Sequence, residues 1–201
     1  EPSRRFKISM FLLSKPDSNA VKLFLDEQAD DHFSYTEIGA TGSEIPPGYN
    51  TDHHRVKLGV GPVVFERAKT AIREWKMFDI GWVELTSCST PIEIGQTVAI
   101  LVSHYGFYSL NAARIVYTLN EPTRFGFAYG TLKEHGEIGE ERFSIEYDAV
   151  SGEVWYDLFA FSRPASLLAQ IGYPLSRSLQ KTFARDSKMA MQRAVSETKI
   201  S

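Results

Sequence analysis

Between residues 82 and 162 the chain falls into six stretches of period-two hydrophobicity, and most of the gaps between them are too short for a helix. They cover residues 82–86, 96–103, 112–119, 124–132, 140–148 and 153–162, divided by Pro91, Gly95, Gly106, Asn120-Glu121-Pro122 and Ser151-Gly152. Parallel strands need long crossovers, so this spacing predicts an antiparallel meander. The last stretch is apolar in both alternating sets: Val154, Tyr156, Leu158 and Ala160 in one, Trp155, Phe159 and Phe161 in the other. Such a strand is covered on both faces, or lines a cavity as well as a core.

Helical spacing flanks the meander. Residues 18–29 read as a short helix, and Phe33 and Tyr35 as a brief strand. Residues 43–52, with Pro46-Pro47-Gly48, read as a loop, and residues 53–58 as a half-buried strand. After Gly61-Pro62, the residues Val64, Ala68, Ala71 and Trp75 recur at intervals of three and four, the clearest amphipathic helix in the chain. From Ser162-Arg163-Pro164 onward, Leu168, Ile171, Leu175, Leu179 and Phe183 form a long stripe beside a basic flank of Arg177, Lys181 and Arg185. Pro174 predicts a kink in that helix. The expected class is α+β: a curved antiparallel sheet between the middle helix and a long C-terminal helix that the sheet wraps, a helix-grip outline.

The 201 residues suit a single domain over 1–201, large enough to bury a core without disulfides or metal. With 22 Lys and Arg against 25 Asp and Glu, no long-range field draws the chain to nucleic acid. No apolar run approaches the 18 residues of a membrane span. Cys88 is the only cysteine, which favours a reducing, cytoplasmic compartment and an incidental thiol. The sequence begins at Glu1 without Met, so targeting is not readable from it. An apolar stripe that fills one core reads like one that closes a dimer, so an oligomer is compatible with the pattern.

No chemical signature is strong. His53 and His54 are adjacent on a strand and point to opposite faces; His32, His104 and His135 have no metal-ligand spacing. Gly59-Val60-Gly61 lacks the rest of a dinucleotide fingerprint and no GxxxxGK[ST] occurs, so no cofactor is expected. Gly126 and Gly130, inside a strand, mark curvature or a close approach. The best candidate site joins Tyr129 and His135 to Glu141, which shares a face with Phe143, Ile145 and Tyr147. Facing an apolar interior, Glu141 would have a raised pKa or need a partner: Tyr129, His135 or an arginine. Asp157 interrupts an apolar face and calls for a donor such as Arg114 or a backbone amide. Phe127, Trp155, Phe159 and Phe161 are candidate apolar walls.

Several stretches together resemble the DUF1990 family, also called UPF0548, of bacterial and plant proteins of unknown function. They are residues 54–61, 68–78, 81–82, 124–132, His135, 139–145, 153–156, 161–164, 172–174 and 180–185. The resemblance spans most of residues 50–190, making 51–195 the family core and 1–50 a loosely matched portion. It implies a START-like, Bet v 1-like fold and carries no activity. The leading expectation is binding of a small, largely apolar molecule between sheet and terminal helix, with Tyr129, His135, Glu141, Arg114, Asp157, Trp155, Phe127 and Phe159 as candidate contacts. The alternatives are an enzyme using Glu141 or His135 as acid or base, and a protein-interaction module using the basic flank of the last helix.

Overall fold

The structure, a computed structural model, describes residues 11–86, 90–104, 106–133, 137–164 and 173–196. Strand β1 is Phe11–Leu12 and helix α1 is Ser18–Gln28, started by Asp17, whose side chain accepts from the Ala20 amide at 2.8 Å. Strand β2, Asn50–Val60, leads into helix α2, Pro62–Arg73, through Gly61 at a φ of 97° that favours glycine. Then come β3 (Val83–Leu85), β4 (Thr97–His104), β5 (Phe107–Asn120), β6 (Arg124–Thr131), β7 (Glu137–Tyr147) and β8 (Glu153–Pro164). Helix α3, Tyr173–Ser196, closes the described chain.

All pairings are antiparallel, and the sheet runs β2-β8-β7-β6-β5-β4-β3, with β1 added beside β5. Register shifts at Lys57/Gly59 and Ile115/Tyr117 mark local bends in this curved sheet. Its inner face presents Val98, Ile100, Ile115, Phe127, Phe143, Ile145, Val154, Tyr156 and Leu158 to Phe65, Ala68 and Ile72 of α2 and Ala184, Met191 and Val195 of α3. Each Val, Leu, Ile, Phe or Met among them, when fully buried, contributes about 1.5–3 kcal/mol of transfer free energy. Both helices therefore share one face of the sheet, which corrects the expectation of a sheet lying between them.

The outer face is covered instead by the N-terminal segment. Val21 and Phe24 of α1 pack on Leu101, Leu110 and Leu132, while Tyr35 and Ala40 pack on Phe161. This coverage accounts for Phe161 on the outer face of β8, while Trp155 and Phe159 on the same face lie against the guanidinium groups of Arg55 and Arg142. Phe33 and Tyr35, expected as a strand, contribute a single bridge between Phe33 and Leu132. The C-terminal segment, expected to be helical from Ser162, is still strand at Ser162-Arg163-Pro164. Residues 165–172 lie outside the described residues, so the bend expected near Gly172-Tyr173-Pro174 falls at their border, and the described part of α3 is Tyr173–Ser196. Leu168 and Ile171, from the anticipated stripe, lie outside the described residues. Among the described residues, no helix is long and apolar enough to cross a membrane.

Candidate functional site

Tyr129 on β6 and Glu141 on β7 are direct cross-strand partners on the inner face, and the tyrosine hydroxyl donates to Glu141 Oε2 at 2.7 Å. The same row of the sheet continues through Ala160 on β8 to Asp52 on β2. Adjacent strands lie about 4.8 Å apart, so Glu141 and Asp52 flank Ala160 with roughly 10 Å between their backbones. Ala160 is only partly buried, whereas the next row inward contains the buried Leu158, Phe143 and Phe127. The row therefore forms a polar shelf with a methyl floor, at the edge of an aromatic interior.

That interior is built from ring contacts. Tyr129 lies 5.3 Å from Phe143 and 6.4 Å from Phe78 between centroids, and Phe78 lies 5.5 Å from Phe183 of α3. Burial beside these rings drives the Glu141 carboxyl up to about 7; the Tyr129 hydrogen bond opposes the rise, and the charges of Glu137 and Asp52 add to it. Burial also pushes the Tyr129 hydroxyl well above its ordinary value, followed by the Glu141 charge. Among the described residues no cation pairs with Glu141. Helix α3 reaches the shelf through Arg177, which donates to both carboxylate oxygens of Asp52, and through Gln180, which donates to Glu137 and, at 3.2 Å, to Ser162 Oγ. Deeper in, the hydroxyls of Tyr156 and Ser187 meet at 2.8 Å across the sheet–helix interface.

The other sequence candidates lie elsewhere. Phe127 is in the inner core, but Trp155, Asp157 and Phe159 project from the outer face. Asp157, 3% exposed, receives Arg142 Nη2 at 3.0 Å and pairs with His53 Nε2 at 2.6 Å, so its donor is not Arg114. Arg114 instead donates to the carbonyls of Gln28, Ala29 and Asp31 and to Thr97 Oγ1, capping the C-terminal end of α1. His135 and Cys88 lie outside the described residues. In the basic flank of α3, Arg177 is engaged with Asp52, and Arg185 pairs with its neighbour Asp186 at 2.8 Å. A groove of about 620 Å³ runs along the outer side of α2, past Val63, Arg67 and Ala194, away from Glu141.

Sequence reasoning missed Glu140, which is 3% exposed on the outer face. Its Oε2 accepts from the Tyr35 hydroxyl at 2.6 Å and the Gly39 amide at 2.7 Å; its Oε1 accepts from the Thr41 amide at 2.9 Å and from the Thr41 hydroxyl. Alternation alone separates Glu140 from Glu141, but nothing local marks its partners a hundred residues away. Gly130 makes the arrangement possible, because a Cβ there would lie 2.0 Å from the Tyr35 hydroxyl oxygen. Gly130→Ala is expected to cost about 1–3 kcal/mol through this clash, read as a lower urea midpoint with an unchanged m-value. An unchanged midpoint would show that Tyr35 moves freely.

A curved antiparallel sheet gripping a long C-terminal helix resembles the helix-grip, START-like architecture. A norcoclaurine synthase from Thalictrum flavum, solved with dopamine and hydroxybenzaldehyde, superposes with a TM-score of 0.51 at 10% identity, over 76% of this chain and 90% of that one; the likeness is one of fold. At the level of sequence, the family model described as "Domain of unknown function (DUF1990)" matches residues 34–190, and the chain belongs to that family. A UPF0548 protein of Dictyostelium discoideum is 36% identical over 207 residues, covering 92% of this chain and 96% of the relative. One from Deinococcus radiodurans is 39% identical over 197 residues, covering 92% and 98%.

Proposed function

We propose that this protein binds a small, largely apolar molecule between the inner face of the sheet and α3, with Glu141 and Tyr129 holding its polar group. The observation that carries the reading is the Glu141–Tyr129 pair itself. A carboxyl raised to about 7 on an otherwise aromatic face is unfavourable for the fold, and it has no cationic partner among the described residues. Groups destabilised in the free protein and left short of partners are those a ligand can complete. The partly buried Ala160 beside Glu141 supplies a floor for it. The likeness to a fold whose member holds dopamine and hydroxybenzaldehyde is compatible with the reading without choosing the ligand.

Native mass spectrometry of gently purified protein, followed by denaturing extraction, tests it. The expected result is a one-to-one adduct, retained by wild type and reduced at least tenfold in Tyr129→Phe and Glu141→Gln proteins that remain folded. An adduct indifferent to both substitutions would move the site elsewhere. A second reading draws on the same titration: a carboxyl changing charge near pH 7 suits acid–base catalysis. Recovery of a chemically altered compound after incubation, absent with Glu141→Gln, would favour turnover over binding.

A further inference from the structure

We propose that the solvent side of α2 is a self-association surface, on which α2 of a second copy of this chain lies antiparallel in the groove beside it. The groove runs from Pro62 and Val63 at the start of the helix to Glu74 and Lys76 past its end, with the small side chains of Ala71 and Ala194 between α2 and α3. It therefore spans the whole of α2. A second helix of the same 12 residues, about 18 Å long, matches its length. The side of α2 that faces water carries Val63, Glu66, Arg67, Thr70 and Glu74, at the three- and four-residue spacing of one helix face.

The charges on this face choose the occupant. Glu66 is held by Lys69 at 2.9 Å, and Arg73 is turned onto the ring of Phe125, 4.5 Å from its centroid. Among the described residues Arg67 makes no ion pair, and Glu74 pairs with Lys76 at 3.6 Å while more than half of its side chain stays exposed. One cation and one carboxylate, two helical turns apart, are thus left to meet a partner. Set antiparallel about a twofold axis between Thr70 and Ala71, the face is complementary to itself: Arg67 meets the partner's Glu74, and Glu74 meets the partner's Arg67. The small residues at the axis let the helices approach closely, and the exposed Val63 reaches the far end of the partner's groove. A nucleic acid or an anionic membrane would need an excess of cations, which this balanced face does not offer.

Sedimentation equilibrium of the whole chain between about 10 and 500 μM, at low salt, tests the contact; the range is set by how little exposed ion pairs contribute. Wild type is expected to pass from monomer to dimer within it. Arg67→Glu and Glu74→Arg each place like charges at both symmetric contacts, so each should raise the dissociation constant at least tenfold. An equal mixture of the two variants restores opposite charges at both contacts and should dimerise as wild type does, as should the Arg67→Glu/Glu74→Arg double variant. All of these proteins should keep a urea midpoint close to that of wild type, which separates loss of the contact from loss of the fold. A wild type that stays monomeric to 500 μM would overturn the proposal. So would a dimer indifferent to both reversals, or a mixture that fails to associate.

Discussion

Glu141→Gln is expected to stabilise the protein at pH 8 by about 2–3 kcal/mol and to leave it almost unchanged at pH 4. The carboxyl titrates near 7 in the fold and near 4.5 in an open chain. A folded pKa raised above the unfolded one means that the folded state holds the proton longer. The associated stability is complete below pH 4.5, declines as pH rises to about 7 and is absent above it. Each pKa unit corresponds to about 1.4 kcal/mol, which sets the upper end of the effect; partial access of water to the carboxyl reduces it. Glutamine keeps an acceptor for the Tyr129 hydroxyl and carries no charge at any pH, so it removes the penalty and keeps the hydrogen bond. Urea unfolding at pH 4 and pH 8 reads the result. Equal effects at both values, or destabilisation at pH 8, would mean that Glu141 is not the strained group described here. Loss of ligand binding alongside the gain in stability would make this a residue retained for function.

The same substitution one residue earlier is expected to act in the opposite direction. Glu140→Gln should destabilise by about 3 kcal/mol at neutral pH, because Glu140 accepts from four donors divided between its two oxygens. A glutamine can offer an oxygen to one pair only, and its amide hydrogens then face either Tyr35 and Gly39 or the amide and hydroxyl of Thr41. Buried donors directed at donors carry the cost of unmade hydrogen bonds, about 1–3 kcal/mol each. In a Tyr35→Phe background the penalty should shrink by about 1 kcal/mol, since one donor is already gone. A Glu140→Gln protein as stable as wild type, with residues 33–41 still protected from hydrogen exchange, would show that the segment is held by its apolar contacts alone.

These two glutamates show which parts of the molecule were legible in the sequence. Alternation along residues 140–148 placed Glu141 beside Phe143 and Ile145, and the structure agrees because a strand face is set by parity alone. The antiparallel meander of the later strands and the amphipathic helix after Pro62 were readable for the same reason, as each is a local pattern, whereas the pairing of β2 with β8 is not. What covers the outer face was not readable. Tyr35 reads as part of a brief strand and Gly39 and Thr41 lie beyond it without any period, and their pairing with Glu140 depends on a fold built afterwards. Asp157 illustrates the same limit. Its face correctly called for a donor, yet Arg142 and His53 reach it while Arg114 caps a helix, and only the register across β2, β7 and β8 decides between them. Ser162-Arg163-Pro164 reads as the opening of a helical segment yet extends β8 against β7 at Glu137–Gly139, a pairing that only the sheet register reveals.

The placement of Glu140, Glu141 and Arg142 on consecutive positions also bears on how β7 finds its alignment during folding. A slip of one residue in either direction would turn Phe143 out of the aromatic layer and put Arg142 inside it. The Arg142 guanidinium would then lose both Asp157 and the Thr41 carbonyl, and the neighbouring acids would no longer face their intended surroundings. A misaligned pairing thus places a charge against the apolar layer that α2 and α3 must cover. Strand β7 acts as its own proofreader, and the three charged residues at its middle are the characters being checked.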